Sequence, residues 1–158
     1  MPKITVSRAK PADADQIGKI AFQTADIHYK SIKNEFTKPT LKTQTEYIRK
    51  SISDTDLLVL KATMAGQIAG YVVVYFNTYP AAYFKFPKRA FIGSIGVEEH
   101  FRGQGVGKAL LKAVENAVKK RGISVLEIDV YTFNKAAEKL YDSCGYEDIK
   151  HYKRKFVG

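Results

Sequence analysis

The sequence predicts an α/β fold in which helices pack against a mixed, partly parallel sheet. Two strand-like segments in the first half of the chain flank a tight turn at Met64-Ala65-Gly66, as in an antiparallel hairpin. In the second half, strand-like and helix-like segments alternate, which favours parallel strands joined by helices. A glycine-rich turn, RGQGVG at 102–107, leads from a strand directly into an amphipathic helix.

Local signals define the elements of the first half. Pro11, Asp13 and Asp15 suit the first turn of a helix, because proline has a helical φ and acidic side chains complement the helix dipole. Apolar side chains recur at helical spacing in the next helix and run almost continuously in the strands that follow it. The predicted elements are a strand at 4–8, a helix from Pro11 to His28, a helix at 41–52, and strands at 56–63 and 67–78.

The second half begins with a strand that contains glycine. Gly93 and Gly96 indicate a bulge or a close backbone approach within it. The long helix that follows presents one apolar stripe, including Val106 and Leu110, and Gly122 terminates it. The predicted elements are a strand at 89–99, the long helix, a strand at 124–131, a short helix at 135–145 and a last strand at 146–156.

The composition indicates one soluble globular domain covering residues 1–158. Apolar residues make up 45% and charged residues 27% of the chain, and no apolar run is long enough to span a membrane. The single cysteine, Cys144, has no partner for an internal disulfide, so we expect a cytoplasmic location. His28, His100 and His151 lack metal-ligand spacing, and we predict no metal site.

The net charge favours anionic partners. Lysine and arginine number 26 against 16 acidic residues, a formal net charge of +10. Such an excess suits nucleic acid, an acidic membrane surface or a polyphosphate cofactor, and it does not choose among them. No helix-turn-helix, RNA-recognition or zinc-finger pattern is present, which disfavours the nucleic-acid alternative.

The glycine-rich turn indicates a phosphate site at a helix N-terminus. A Walker-type loop would need glycine at Arg102 and a hydroxyl at Ala109, and a dinucleotide fingerprint would need glycine at Lys108. Both motifs therefore fail. Unpaired N–H groups at the start of a helix nevertheless favour an anion, and glycine lets it approach the backbone. A turn that needs positive φ for structural reasons alone is the alternative.

The same turn resembles the acetyl-CoA-binding motif of the GNAT superfamily of N-acetyltransferases. Two further stretches support the resemblance: NKAAEKLYDSCGY at 134–146 is similar to the second signature of that family, and RAKPADADQI at 8–17 is similar to its entry from first strand to first helix. The resemblance implies an acetyl-CoA-dependent N-acetyltransferase that acts by direct transfer in a ternary complex. It also implies a sheet splayed between the strands at 89–99 and 124–131.

The resemblance implies a set of cofactor-binding residues. The backbone around Ile95 and Val97 would meet the pantetheine arm and the acetyl carbonyl, and Asn134 would contact CoA, cap its helix, or both. The pyrophosphate would bind the amides of Arg102, Gly103, Gln104, Gly105, Val106, Gly107 and Lys108.

The resemblance also implies catalytic residues. Tyr141 would be the general acid for the departing thiolate. Asp129 and Glu98 are the leading candidates for the general base. Glu99 and Glu127 are rivals, and a base of water alone suffices for an α-amine. Nothing near Cys144 in the sequence resembles a Cys–His pair, so a covalent acetyl-enzyme is disfavoured.

The acceptor is left open between a peptide or protein amine and a small-molecule amine. In the implied fold, residues 27–40 and 79–86 would border the acceptor side. A non-catalytic acyl-CoA sensor and, less favoured, a basic nucleic-acid-binding protein are the alternative functions. A homodimer also remains open.

Overall fold

A computed structural model describes residues 1–32 and 34–158, so Lys33, which falls in the predicted acceptor-side segment, lies outside the described residues. In these residues one five-stranded sheet has its strands in chain order. The strands are β1 (Ile4–Arg8), β2 (Leu58–Met64), β3 (Gln67–Thr78), β4 (Lys88–Val97) and β5 (Leu126–Ile128). The helices are α1 (Ala14–Ser31), α2 (Leu41–Ser53), α3 (Val106–Lys120) and α4 (Lys135–Ser143).

The predicted mixed sheet is confirmed. Strands β1 to β4 pair antiparallel, and β4 pairs parallel with β5. The β2–β3 turn consists of Ala65 and Gly66, with φ of 51° and 76°. Positive φ at both central residues is the geometry that matches the right-handed twist of a two-residue hairpin.

Helices cover both faces of the sheet. One core contains Ile17 and Ile20 of α1 and Ile48 of α2, packed with Val73 of β3. The other core packs α3 and α4 on the opposite face, with Leu110 at its centre and fully buried. This arrangement explains the near-continuous apolar runs of β2 and β3, because both faces of these strands are covered.

The sheet separates between β4 and β5. Their pairing covers three residue pairs and ends at Ile92 with Ile128, although β4 continues to Val97. Gly93, the next residue of β4, is the extra residue of a bulge against β3, and a Cβ atom there would lie 2.3 Å from Cε2 of Tyr75. The bulge and the close approach that glycine predicted are therefore both present where the two strands part.

The predicted strand at 146–156 is wrong. Residues 146–158 are all described and form neither strand nor helix. Strand β5 is three residues long, so a further strand beside it would gain few hydrogen bonds. The segment also carries Lys150, Lys153, Arg154 and Lys155, whose mutual repulsion opposes a regular edge strand. We call residues 147–158 the C-terminal tail.

Helix α2 begins with a reciprocal cap. The Oγ1 of Thr40 accepts a hydrogen bond from the Thr43 amide at 3.1 Å, and the Thr43 side chain accepts from the Thr40 amide at 3.3 Å. We expect Thr40→Ala to lower the free energy of unfolding by about 1 kcal/mol. For a chain of this size the midpoint should fall by roughly 2–4 °C in a thermal scan. Thr37→Ala, at an exposed threonine before the helix, should leave the midpoint unchanged; equal effects would contradict the capping role.

Candidate active site

The glycine-rich turn lies between the end of β4 and the start of α3. Gly103 and Gly105 have φ of 73° and 88°, and Gly105 is the N-cap of α3. Residues other than glycine rarely adopt these φ values, so the backbone itself requires glycine at both positions. It does not exclude a ligand, because Gly103 faces open space with no atom within 4 Å of a built Cβ.

Six successive amides are free at this turn. Within the described residues, the backbone N–H groups of 103–108 donate to no protein acceptor, and the first helical hydrogen bond runs from the Ala109 amide to Gly105. None of the described side chains caps the helix. A row of unpaired N–H groups at the positive end of a 15-residue helix is a site for an anion. Six of the seven amides that the sequence predicts to bind the pyrophosphate are in this row.

Arg102 and Gln104 stabilise the turn with their own polar groups. The Arg102 amide bonds to the Glu99 carbonyl, so it is not free like those that follow it. The Arg102 Nε donates to the Val97 carbonyl at 3.1 Å, and Gln104 Nε2 donates to the His100 carbonyl at 2.8 Å. Arg102 therefore holds the turn against the end of β4, where it engages the Val97 carbonyl, and Gln104 ties the turn to the segment just after that strand.

Gly107 has a packing role that sequence did not reveal. A Cβ atom at this position would lie 2.9 Å from Cδ2 of Leu140, on α4. Its backbone has ordinary helical geometry, so the absent side chain serves the close approach of α3 and α4. The same contact brings α4 beside the free amides.

Asn134 is the N-cap of α4. Its Oδ1 accepts a hydrogen bond from the Ala137 amide at 3.2 Å, which confirms the predicted cap. The side-chain amide retains two N–H donors that the cap does not use. Asn134 can therefore cap the helix and still donate to a ligand.

Tyr141 lies on the inner face of α4. Its side chain is 8% exposed and packs in the core beneath α3, with its ring centroid 5.8 Å from that of Tyr146. Burial, and then the negative charge of Asp129, raise the pKa of Tyr141 to about 12. The phenol therefore keeps its proton at every physiological pH.

The carboxylates of β5 have different environments. Glu127 accepts a hydrogen bond from Arg89 Nη1 at 3.2 Å, and Arg89 stacks on Phe84 of the loop after β3 at 4.6 Å. Glu127 is therefore linked to that loop through Arg89. Asp129 follows β5 at the parting of the strands and is exposed; within the described chain, no cation lies at ion-pair distance from it.

The Glu98 side chain points toward Gln23 of α1. Its carboxylate accepts hydrogen bonds from the His100 amide at 2.8 Å and from Gln23 at 3.4 Å, and it contacts the His100 ring at 3.1 Å. Partial desolvation acts to raise the pKa of Glu98, but these partners outweigh it and lower the pKa below its usual value. A carboxylate held in this way is a weaker base than a free one. Glu99 is exposed.

Four rings form a cluster at the end of α1, and the sequence did not predict their contacts. His28 contacts Phe36, Tyr131 and Phe133 edge-on, with centroids 5.7, 5.7 and 5.3 Å apart. Its Nδ1 lies 2.8 Å from the Thr24 carbonyl, which can only accept, so Nδ1 carries a proton. The cluster joins the α1–α2 connection to the segment after β5. These contacts link distant parts of the chain, so no local signal predicts them.

Three further features of the described residues are the environment of Cys144, the grouping of possible metal ligands and the hydrophobicity of the helices. Cys144 is half-buried at the end of α4, with the Ser143 hydroxyl 3.9 Å from its sulfur. No group of three or more His, Cys, Asp or Glu side chains in the described chain is placed to hold a metal ion. No helix among these residues has the length and apolarity needed to cross a membrane.

Comparison with known proteins agrees with this geometry. The model of the GNAT acetyltransferase family matches residues 24–146. The ribosomal protein bS18-alanine N-acetyltransferase of Haemophilus ducreyi is 43% identical over 56 residues, which cover 35% of this chain and only 39% of that protein. The thialysine N-epsilon-acetyltransferase of Bos taurus is 25% identical over 154 residues, covering 94% of this chain and 87% of that protein.

Among solved structures, a mutant of the BH1408 protein from Bacillus halodurans has a TM-score of 0.89 at 21% identity, covering 97% of this chain and 99% of that one. This likeness shows that the fold is shared. The family model spans most of the chain, including the parted strands, the glycine turn and α4. The chain therefore belongs to the GNAT family of acetyltransferases.

Proposed function

We propose that residues 1–158 form one N-acetyltransferase domain that moves an acetyl group from acetyl-CoA to a primary amine by direct attack in a ternary complex. The row of free amides at 103–108 is the observation that supports this most strongly, because it suits the pyrophosphate of CoA. The end of β4 around Ile95 and Val97, which pairs with β3 but lies beyond the pairing with β5, would receive the pantetheine arm and the acetyl group.

Tyr141 acts on the leaving sulfur in this mechanism. Its pKa of about 12 lies above that of a thiol, near 8.5, so complete proton transfer to the thiolate is uphill. The hydroxyl therefore stabilises the developing thiolate by donating a hydrogen bond to it. Burial of Tyr141 strengthens this electrostatic effect because little water competes for the sulfur.

Asp129 is the general base that we propose. It is exposed at the parting of β4 and β5, whereas Glu98 and Glu127 are held by His100 and Arg89. A lysine-like amine with a pKa of about 10.4 costs roughly 4 kcal/mol to deprotonate near pH 7.5, so such an acceptor needs a base. An α-amine costs under about 1 kcal/mol and could use water.

The acceptor class that we propose is a primary amine on a peptide, a protein or a small molecule. The name of the Haemophilus ducreyi relative gives an alanine of a ribosomal protein as its acceptor. The name of the Bos taurus relative gives thialysine. A cytoplasmic location fits an acetyl-CoA-dependent reaction.

A thermal unfolding scan with acetyl-CoA tests the proposal, with CoA and ATP as controls. Ligand at about 100 times its dissociation constant stabilises the folded state by roughly 2.7 kcal/mol. We expect acetyl-CoA to raise the midpoint by several degrees and ATP to raise it much less. Thiol release should then be screened with amines. If no ligand changed the unfolding midpoint, the cofactor assignment would be overturned. Nucleic acid would then be the leading partner for a chain with a net charge of +10.

A further inference from the structure

An acidic and aromatic surface lies where the α1–α2 connection meets the segment after β5. It consists of Glu35, Phe36 and Tyr131, and we call it the rim surface. The Phe36 and Tyr131 rings are 5.3 Å apart, and His28 packs edge-on against both. Tyr131 is 37% exposed and the Glu35 side chain 29% exposed, so both remain open to a ligand. Carboxylates and aromatic faces together suit organic cations.

A cation of the chain itself already occupies this surface. The guanidinium of Arg154, in the C-terminal tail, forms an ion pair with Glu35. The tail follows Tyr146, which packs against Tyr141 in the core beneath α3 and α4. Because Arg154 pairs with Glu35, the tail crosses from there to the α1–α2 side of the sheet. Arg154 is 41% exposed, and ion pairs so accessible to water contribute little to stability. A cation from solution can therefore displace it.

The local charge of the rim surface opposes that of the chain. The formal net charge of +10 repels cationic molecules at long range, so a cationic acceptor needs a local cluster of negative charge. Asp129 supplies a second carboxylate two residues before Tyr131. Burial, and then the negative charge of Asp129, raise the pKa of Tyr131, so Asp129 lies close enough to act on a charge at this ring.

The reacting amine does not need this carboxylate. An amine attacks the acetyl carbonyl in its neutral form, so a carboxylate that held its ammonium form would oppose the reaction. Glu35 can serve only a positive charge that stays protonated throughout. We propose that the rim surface binds a second, non-reacting cation of the acceptor, and that Arg154 holds this place until an acceptor arrives. This proposal rests on the acetyltransferase function proposed above.

Two sources share this chemistry, a small diamine and a peptide whose reacting amine is followed by a basic side chain. Heteronuclear NMR of the Arg154 side-chain Nε–H reports directly on occupation of Glu35. We expect cadaverine to shift this resonance and to bind about tenfold more tightly than pentylamine, which lacks the second charge. The dipeptides alanyl-arginine amide and alanyl-glutamine amide form the matching pair for the peptide source.

Two variants connect the measurement to the rim surface, and the Tyr131 backbone resonance reports binding in both. Glu35→Gln should abolish the preference for cadaverine, whereas Glu115→Gln, at an ion-paired carboxylate on α3, should retain it. Arg154→Gln should bind cadaverine several-fold more tightly than the wild type, because the internal competitor is gone.

Equal binding of the charged and uncharged members of both pairs would overturn the proposal. So would a preference that Glu35→Gln leaves intact, or the absence of binding by all four compounds at millimolar concentration and low salt. No acetyl-CoA is present and nothing turns over, so these failures are distinct from a failure of the acetyl-CoA scan.

Discussion

Tyr141→Phe is expected to lower kcat for acetyl transfer about 100-fold, with little change in acetyl-CoA affinity. Removing a single preorganised donor from a developing anion has effects of this size. Within the described residues the Tyr141 hydroxyl has no protein partner, and phenylalanine preserves the buried ring, so the fold should be unaffected. Release of the CoA thiol with a defined amine measures the effect.

Tyr146→Phe is the matched control. Its ring is 5.8 Å from that of Tyr141, and burial, chiefly, raises its pKa to about 12 as well. It follows Gly145 at the end of α4, and its loss should leave kcat near the wild-type value. If both variants lost activity equally, the effect would be one of packing; a Tyr141→Phe enzyme within threefold of the wild type would remove the hydroxyl from the mechanism.

Features fixed by neighbouring residues could be predicted from the sequence. The positive φ of Gly103 and Gly105, the two-residue turn at Ala65 and Gly66 and the cap by Asn134 all follow from short motifs. Each of these conformations depends on a few residues whose backbone preferences are intrinsic. The family resemblance then supplied the splay between the fourth and fifth strands, which the structure places beyond Ile92.

Contacts between distant segments could not be predicted. Glu127, one candidate base, forms an ion pair with Arg89, and nothing in either local sequence indicates this contact. The predicted strand at 146–156 failed for a related reason: strand-like composition shows that a segment can pair, but the partner here is only three residues of β5. The sequence predicts Gly107 as a phosphate contact, but it does not indicate that Gly107 packs against Leu140 of α4.

The packing of Gly107 decides which substitution tests the pyrophosphate site. Gly107→Asp would place a side chain against Leu140 at 2.9 Å, so lost binding could reflect lost packing. Lys108 is exposed in the first turn of α3, beside the free amides. We expect Lys108→Glu to weaken acetyl-CoA binding at least about tenfold, because the new carboxylate repels the pyrophosphate. The ligand-free protein should keep its stability, since a carboxylate in the first turn complements the helix dipole.

Lys120→Glu provides the control, because it changes the net charge by the same amount at the opposite end of α3, where Lys120 is also exposed. The measurement is the rise in midpoint that acetyl-CoA produces in a thermal scan of each variant, at low and at moderate salt. Lys120→Glu should keep the full rise, since a charge more than a Debye length away is largely screened at moderate salt. Equal losses in the two variants would mean that only the overall positive charge attracts the cofactor. A loss confined to Lys108→Glu would assign the phosphates to the six amides at the N-terminus of α3.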